Sequence, residues 1–192
     1  MCLILASASE RRKELLRNAG FEFESRVSHV EEVRLVGESA EGYVCRIARE
    51  KARAVSALSD PGSVVLGADT EVVVSGQTLG KPAGQEDAAR MLRQLAGRTH
   101  EVITGVCVHL VPGGPEDSKY AVTLVSFAEM SDLEIHDYVQ SGEPIDKAGA
   151  YAIQGLASKF VTRIEGSYSN VVGLPIQLVY DMLQPFMEGS KA

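Results

Sequence analysis

The apolar positions of this chain alternate between a two-residue and a three-to-four-residue period, and each change marks an element. Residues 2–6 form a short apolar run that predicts a buried strand. Beyond the serines at 7 and 9, Leu15, Leu16 and Ala19 recur at helical spacing and stop at Gly20, a usual helix end. The cap is Ser7, which places Glu10 in a capping box, or Ser9, which puts Arg12 there instead. Phe21 and Phe23 then open an extended, alternating stretch. A second helix is predicted from near Ser39, its stripe being Val44, Ile47, Ala48, Val55 and Leu58. Asp60-Pro61-Gly62 is a turn, and Val64-Val65-Leu66 is a buried-type strand running into Gly67-Ala68-Asp69-Thr70. Val72-Val73-Val74 and Ser75-Gly76 read as a further strand and a hairpin turn.

The second half continues the pattern. Residues 85–96 predict a helix with Ala88, Met91, Leu92 and Leu95 inward and Gly97 as stop. His100 to Leu110 alternates, with Val102, Thr104, Val106 and Val108 on one face. Pro112-Gly113-Gly114-Pro115 turns into a returning strand at 119–128. Ser131 and Glu134 form a capping box before a helix ending at Ser141-Gly142. A strand follows near 159–164. Pro175 suits the first turn of a last helix with Ile176, Val179, Tyr180 and Leu183 inward, and Gly189–Ala192 reads as a frayed end. The sum is a mixed α/β fold with at least one antiparallel hairpin.

Composition narrows the function. The 192 residues, 45% hydrophobic and 23% charged, make one domain or two small lobes and are long enough to bury a core; a single domain over 1–192 is expected. A net charge of −7 argues against a general binder of nucleic acid or membrane surfaces. No apolar run approaches the roughly 18 residues of a membrane span. The N-terminus has no basic region before its apolar stretch, so no signal peptide is expected and the cytoplasm is the simplest location. Cys2, Cys45 and Cys107 are widely spaced and form no metal or disulfide pattern.

Candidate chemistry starts at residue 7. Helix starts are electropositive, yet Arg11, Arg12 and Lys13 crowd this one, with Glu10 and Glu14 as partial relief. Either the face is simply solvated, or an anion such as a phosphate sits where free N–H groups and guanidinium forks converge. Lys51 lies four residues after Ile47, on or beside the apolar stripe. It is a snorkelling lysine or a cation aimed inward. Asp69 follows a buried strand, where α/β proteins often place catalytic groups, and could equally cap a turn.

In order along the chain stand Ser7-Ala-Ser-Glu-Arg11-Arg12, Arg49-Glu50-Lys51-Ala52, Gly67-Ala-Asp69-Thr70, Gly80-Lys81-Pro82, Gly142 through Lys147 to Tyr151 and Gln154-Gly155, and Ile164 through Asn170 to Pro175. Together they resemble the Maf (septum-formation inhibitor-like) family of nucleoside triphosphate pyrophosphatases over nearly the whole length. The resemblance implies a long mixed twisted sheet with flanking helices, in two lobes around a cleft, similar to the inosine-triphosphate pyrophosphatases. It assigns Ser7, Arg12, Lys51 and Lys81 to the triphosphate, Asp69 to the proton acceptor, and Arg11, Thr70 and Gln154 to base selection. Cleavage of an α–β phosphoanhydride needs a carboxylate to orient or deprotonate water and positive charge on the leaving pyrophosphate. A triphosphate normally carries Mg²⁺, with Mn²⁺ and Co²⁺ as alternatives, and Asp69 and Glu32 are the candidate oxygen ligands. Glu31-Glu32 is otherwise a solvated acidic stretch.

The string Lys147 to Gly155 looks like the branch of the family that prefers dTTP and UTP. The amide of Gln154 can offer donor and acceptor to a neutral pyrimidine edge. The expected activity is therefore a house-cleaning dTTP/UTP pyrophosphatase. The competing readings are a pyrophosphatase for 7-methyl-GTP or another modified nucleotide, and a non-catalytic nucleotide sensor acting on cell division. Similar proteins are often homodimers. Three departures from the common pattern stand out: Glu10 where proline is frequent; Glu71, expected to point outward; and Asn170, to which the sequence assigns no role.

Overall fold

The computed structural model describes residues 2–188; the Gly189–Ala192 end lies outside them. The chain order is β1 (Cys2–Leu5), α1 (Glu10–Asn18), β2 (Glu24–Ser25), α2 (Ala40–Ser56), β3 (Ser63–Val74), β4 (Gln77–Leu79), α3 (Gln85–Leu95), β5 (Thr99–Leu110), β6 (Glu116–Phe127), α4 (Asp132–Gln140), β7 (Val161–Glu165), α5 (Tyr168–Val172) and α6 (Ile176–Glu188). Short 3₁₀ turns occupy Glu143–Asp146, Ala148–Ala150 and Leu156–Phe160. The strands form a mixed sheet in the order β2-β1-β3-β5-β6-β7, with β4 paired to β3. β1 is parallel to β2 and β3, whereas β4 and β7 are antiparallel to their partners.

The chain packs as two compact units. The first comprises the chain up to Asp69, Thr104–Ala121 and the segment from Gly173 onward; the second comprises Thr70–Ile103 and Val122–Val172. In the first unit, strand alternation sorts side chains onto two faces. Leu3, Leu5, Val64, Leu66, Ala68, Val106 and Val108 meet Leu16 of α1 and Val179, Met182 and Leu183 of α6. Ile4, Ala6, Val65 and Cys107 meet Ala48, Ala52 and Val55 of α2 on the other face. Both faces are covered, so the strands read as near-continuous apolar runs.

The second unit holds α3, α4, α5, β4, β7 and the 3₁₀ turns. Its core includes an edge-to-face cluster of His100, Phe127 and Tyr151, with ring centroids 4.9–5.3 Å apart. The Ser131–Glu134 capping box starts α4 as the sequence predicts. Asn170 has a structural role: its side-chain amide donates to the Val102 carbonyl at 2.9 Å and to Thr123 Oγ1 at 3.0 Å, tying α5 to β5 and β6.

Four expectations are revised. Leu58 lies past the end of α2 and is 83% exposed, because the helix stops at Ser56 before the stripe reaches it. On α6, Met182 rather than Tyr180 turns inward, and Tyr180 is 43% exposed. Val64 to Val74 is one continuous strand, so Asp69 sits inside β3 and not just beyond a strand. Glu71 is 8% exposed and not outward: nearly every position of β3 is buried, which leaves that strand no solvent face.

Candidate active site

β3 changes partner along one edge. β1 pairs with it from Ser63 to Leu66, and the Ala6 N–H adds a last bond to the Leu66 carbonyl at 2.8 Å. β4 pairs only with Val72–Val74. Neither ladder reaches Gly67–Glu71, so Asp69 lies on a stretch of strand that β1 has already left.

Alternation decides which side Asp69 faces. Val65 packs on the α2 side, so Gly67 and Asp69 follow it there. Gly67 lets the helix come close: a Cβ at this position would lie 2.1 Å from the Ala48 carbonyl oxygen. Gly105 on β5 does the same, its Cβ falling 2.4 Å from the Val44 carbonyl. The backbone of α2 thus rests directly on two glycines. One turn beyond Ala48, Lys51 extends from the buried stripe toward Asp69.

The result is an ion cluster that is buried at Lys51 and Asp69 and open to solvent at Glu32, whose side chain is 37% exposed. Lys51, 7% exposed, places Nζ 2.7 Å from Asp69 Oδ1 and 2.6 Å from Glu32 Oε1. Asp69 is 6% exposed. Burial raises its pKa above the ordinary 3.8; Lys51 and Arg12 oppose that shift, and Glu32 adds to it. A carboxylate so placed holds a proton more readily than one in water. Of the two readings of Lys51, the inward cation is the observed one. Glu32 comes from the loop before α2, where the Tyr43 hydroxyl donates to its backbone carbonyl at 3.1 Å.

The serine turn adds to the same unit. Ser9 is the N-cap of α1 and its side chain accepts from the Arg12 N–H, so no capping box forms from Ser7. Ser7 is buried; its Oγ accepts from the Ser9 N–H at 3.2 Å and from Arg12 Nη1 at 3.4 Å. Arg12 Nε donates to the Gly173 carbonyl at 2.8 Å. Burial lowers the Arg12 pKa, while Asp69 and Glu32 pull it back up. Arg11 is half-buried next to it on α1. Ser7, Arg12, Glu32, Lys51 and Asp69 therefore assemble within the first unit: a cationic pair, a hydroxyl and two carboxylates.

Thr70, Lys81 and Gln154 belong to the second unit. Thr70 follows Asp69 on β3 and is half-buried. Lys81 is exposed just after β4, where the Gly80 carbonyl accepts from the Gly149 N–H at 3.0 Å. Gln154 is exposed on the turn before the last 3₁₀ segment. Sequence reasoning missed the groups that hold this turn, Tyr138 and Glu143. The signal was Glu143 within the Gly142–Gly155 string, read there only as part of a motif.

Glu32 and Asp69 present hard carboxylate oxygens on one shared ammonium. That donor set fits a Mg²⁺-type ion, which commonly takes one or two carboxylates and completes its shell with substrate phosphates. Among the described residues no group of three or more His, Cys, Asp or Glu could hold a metal. No helix among them is long and apolar enough to cross a membrane.

Comparison with known proteins gives a consistent picture. The family described as Maf-like protein matches residues 2–186. The chain is 55% identical to the dTTP/UTP pyrophosphatase of Koribacter versatilis (strain Ellin345) over 184 residues, 96% of this chain and 94% of that protein. It is 49% identical to the dTTP/UTP pyrophosphatase of Escherichia coli O157:H7 over 189 residues, covering 96% and 92%. The structure of the Staphylococcus aureus Ham1 protein matches with a TM-score of 0.52 at 13% identity, covering 99% of this chain and 100% of that one, a likeness of fold.

Proposed function

Because the chain belongs to the Maf-like family, we propose that it is a nucleoside triphosphate pyrophosphatase acting on dTTP, UTP and modified pyrimidine nucleotides. The observation that carries the mechanism is the buried Asp69 held at 2.7 Å by Lys51. In this reading Asp69 accepts a proton from the attacking water. The water oxygen bonds to the α-phosphorus, the α–β anhydride bond breaks, and pyrophosphate leaves. A raised carboxylate pKa suits a group that must take and release that proton.

Positive charge is needed where the pyrophosphate develops its own charge. Arg12 and Lys51 supply it from the first unit, and Lys81 is assigned the same task. Ser7 contributes a hydroxyl to the phosphates. Arg11, Thr70 and Gln154 read the base. Glu32 and Asp69 would hold a divalent cation, Mg²⁺ before Mn²⁺ or Co²⁺, which supplies Lewis-acid charge to phosphate oxygens when bound. We place the protein in the cytoplasm in a house-cleaning role and as a homodimer.

The test is pyrophosphate release from dTTP, UTP, CTP, pseudo-UTP, 5-methyl-UTP, 7-methyl-GTP and ITP with Mg²⁺. Turnover confined to dTTP, UTP and their modified forms is the expected result. Turnover mainly on 7-methyl-GTP moves the protein to another branch of substrates. Binding without turnover on any of them makes it a nucleotide sensor and ends the proposed role of Asp69.

A further inference from the structure

The turn that carries Gln154 is gripped at both ends. The Gly155 N–H donates to the Ala152 carbonyl at 3.0 Å, so Ala152 to Gly155 is a tight turn with Ile153 and Gln154 at its corner. Tyr151 and Ile153 are buried while Gln154 is exposed, so the turn is rooted in the unit and projects one amide. On the entry side the Ala152 N–H donates to the Tyr138 hydroxyl at 3.2 Å. On the exit side the Leu156 N–H donates to Glu143 Oε2 at 3.0 Å. The Tyr138 hydroxyl donates to Glu143 Oε1 at 2.8 Å and closes the ring.

This bracket is specific in its chemistry. The phenol uses its proton on Glu143 and a lone pair on Ala152, and each carboxylate oxygen of Glu143 takes one donor. Gly155 makes the approach possible, since a Cβ there would lie 2.2 Å from Glu143 Oε2. Burial raises the Tyr138 pKa, and the bond to Glu143 raises it further, which keeps the phenol protonated as the donor the ring requires. The carboxylate is seated close to its own helix end: Ser141 Oγ accepts from the Glu143 N–H at 3.3 Å and donates to the Tyr138 carbonyl at 2.6 Å.

We infer that Tyr138 and Glu143 are positioning residues for base selection, fixing the turn that presents Gln154 to the nucleobase. The inference rests on the reading of Gln154 as the residue that meets the pyrimidine edge. A polar group placed to read a base discriminates only while its donor and acceptor stay aimed, and a misplacement of about 1 Å can cost up to roughly a hundredfold.

The experiment measures kcat/KM for dTTP and for ITP in the full-length enzyme. The variants are Tyr138→Phe, Glu143→Gln and Gln154→Ala, and each of the first two combined with the third. Tyr138→Phe keeps the buried ring. Glu143 is half-buried, and the amide in Glu143→Gln can still accept from one of the two donors but not both. The expected result is a fall of about tenfold in the dTTP-to-ITP ratio for each of the first two variants, through the KM for dTTP, with no further fall when Gln154 is already alanine. A general loss of stability would lower both substrates alike and leave the ratio intact. If the ratio holds in Tyr138→Phe and Glu143→Gln but collapses in Gln154→Ala, the bracket has no part in selection and Gln154 keeps its role. If their effect persists undiminished without Gln154, they act elsewhere and the inference fails. If Gln154→Ala leaves the ratio unchanged, the base-reading role of Gln154 falls and takes the inference with it.

Discussion

Two of the cations on helix α2, Arg46 and Lys51, are each held between two carboxylates, and the carboxylates Glu38 and Asp69 respond in opposite ways. Arg46 meets Glu38 through both of its oxygens at 2.7 Å, Glu50 at 3.0 Å and the Val33 carbonyl at 2.9 Å. Lys51 meets Glu32 and Asp69 at 2.6 and 2.7 Å. The Arg46 cluster is partly open to solvent, and its planar fork saturates Glu38. Hydrogen bonds from Arg46, helped by the Leu35 N–H, push the Glu38 pKa down to about 2. At Asp69 burial outweighs the cations and the pKa goes up. The same charge pattern is therefore a clasp at the rim and, inside, the cluster proposed as the reactive centre. Desolvation, rather than pairing, separates the two.

The strongest way to break this comparison is Asp69→Asn. Turnover should fall by roughly 10²–10⁴-fold, the usual share of a general base, while nucleotide binding measured by calorimetry persists. Full activity would reduce the cluster to a structural ion pair.

Lys51→Met comes next. It leaves two carboxylates beside each other without their cation, and the chain should lose about 3 kcal/mol of stability in denaturant unfolding, together with most of its rate. An unchanged midpoint would mean that Lys51 contributes nothing to holding Asp69.

Gly67→Ala tests the geometry below the cluster. The added methyl meets the Ala48 carbonyl, so α2 must shift and stability should drop by about 1–3 kcal/mol. The rate should drop with it, because Lys51 moves with the helix. A variant with wild-type rate and reduced stability would separate packing from chemistry.

The smallest and most diagnostic effect is in pH. Asp69 titrates higher in the folded chain than its ordinary 3.8, so between those values the folded state binds more protons and stability falls as pH rises. Glu38 has the opposite sign. Its folded pKa of about 2 lies below the ordinary 4.5, so its stabilisation is present above 4.5 and is lost as pH falls through 2. Glu38→Gln should cost about 1 kcal/mol near neutrality and progressively less in acid. Asp69→Asn should instead gain relative to the parent as pH rises through the window above 3.8. Two variants with parallel pH dependence would refute the contrast.

Much of the fold is legible in the sequence because backbone preferences and burial direction are local. Ser39 and Ser131 mark helix starts, and Gly20, Gly97 and Gly142 follow the ends of α1, α3 and α4 with positive φ. Errors cluster where a pattern outran its element: Leu58 extends a helical stripe that the chain had already ended, and Tyr180 shares the period of α6 but not its buried face. The site was legible as residue types, a lysine on an apolar stripe and an acid near a buried strand. Its electrostatics was not.

What the sequence by itself determined is the element order, the caps and the set of chemically able side chains, since each depends on neighbours a few residues away. Only the tertiary structure decided that Lys51 bridges Glu32 and Asp69, that Gly67 and Gly105 carry α2, that Glu71 is buried, and that Tyr138 and Glu143 grip the turn of Gln154. Each of those facts depends on which distant segments close on one another. A charge changes meaning with the solvent it loses, and that loss is a property of the packed chain.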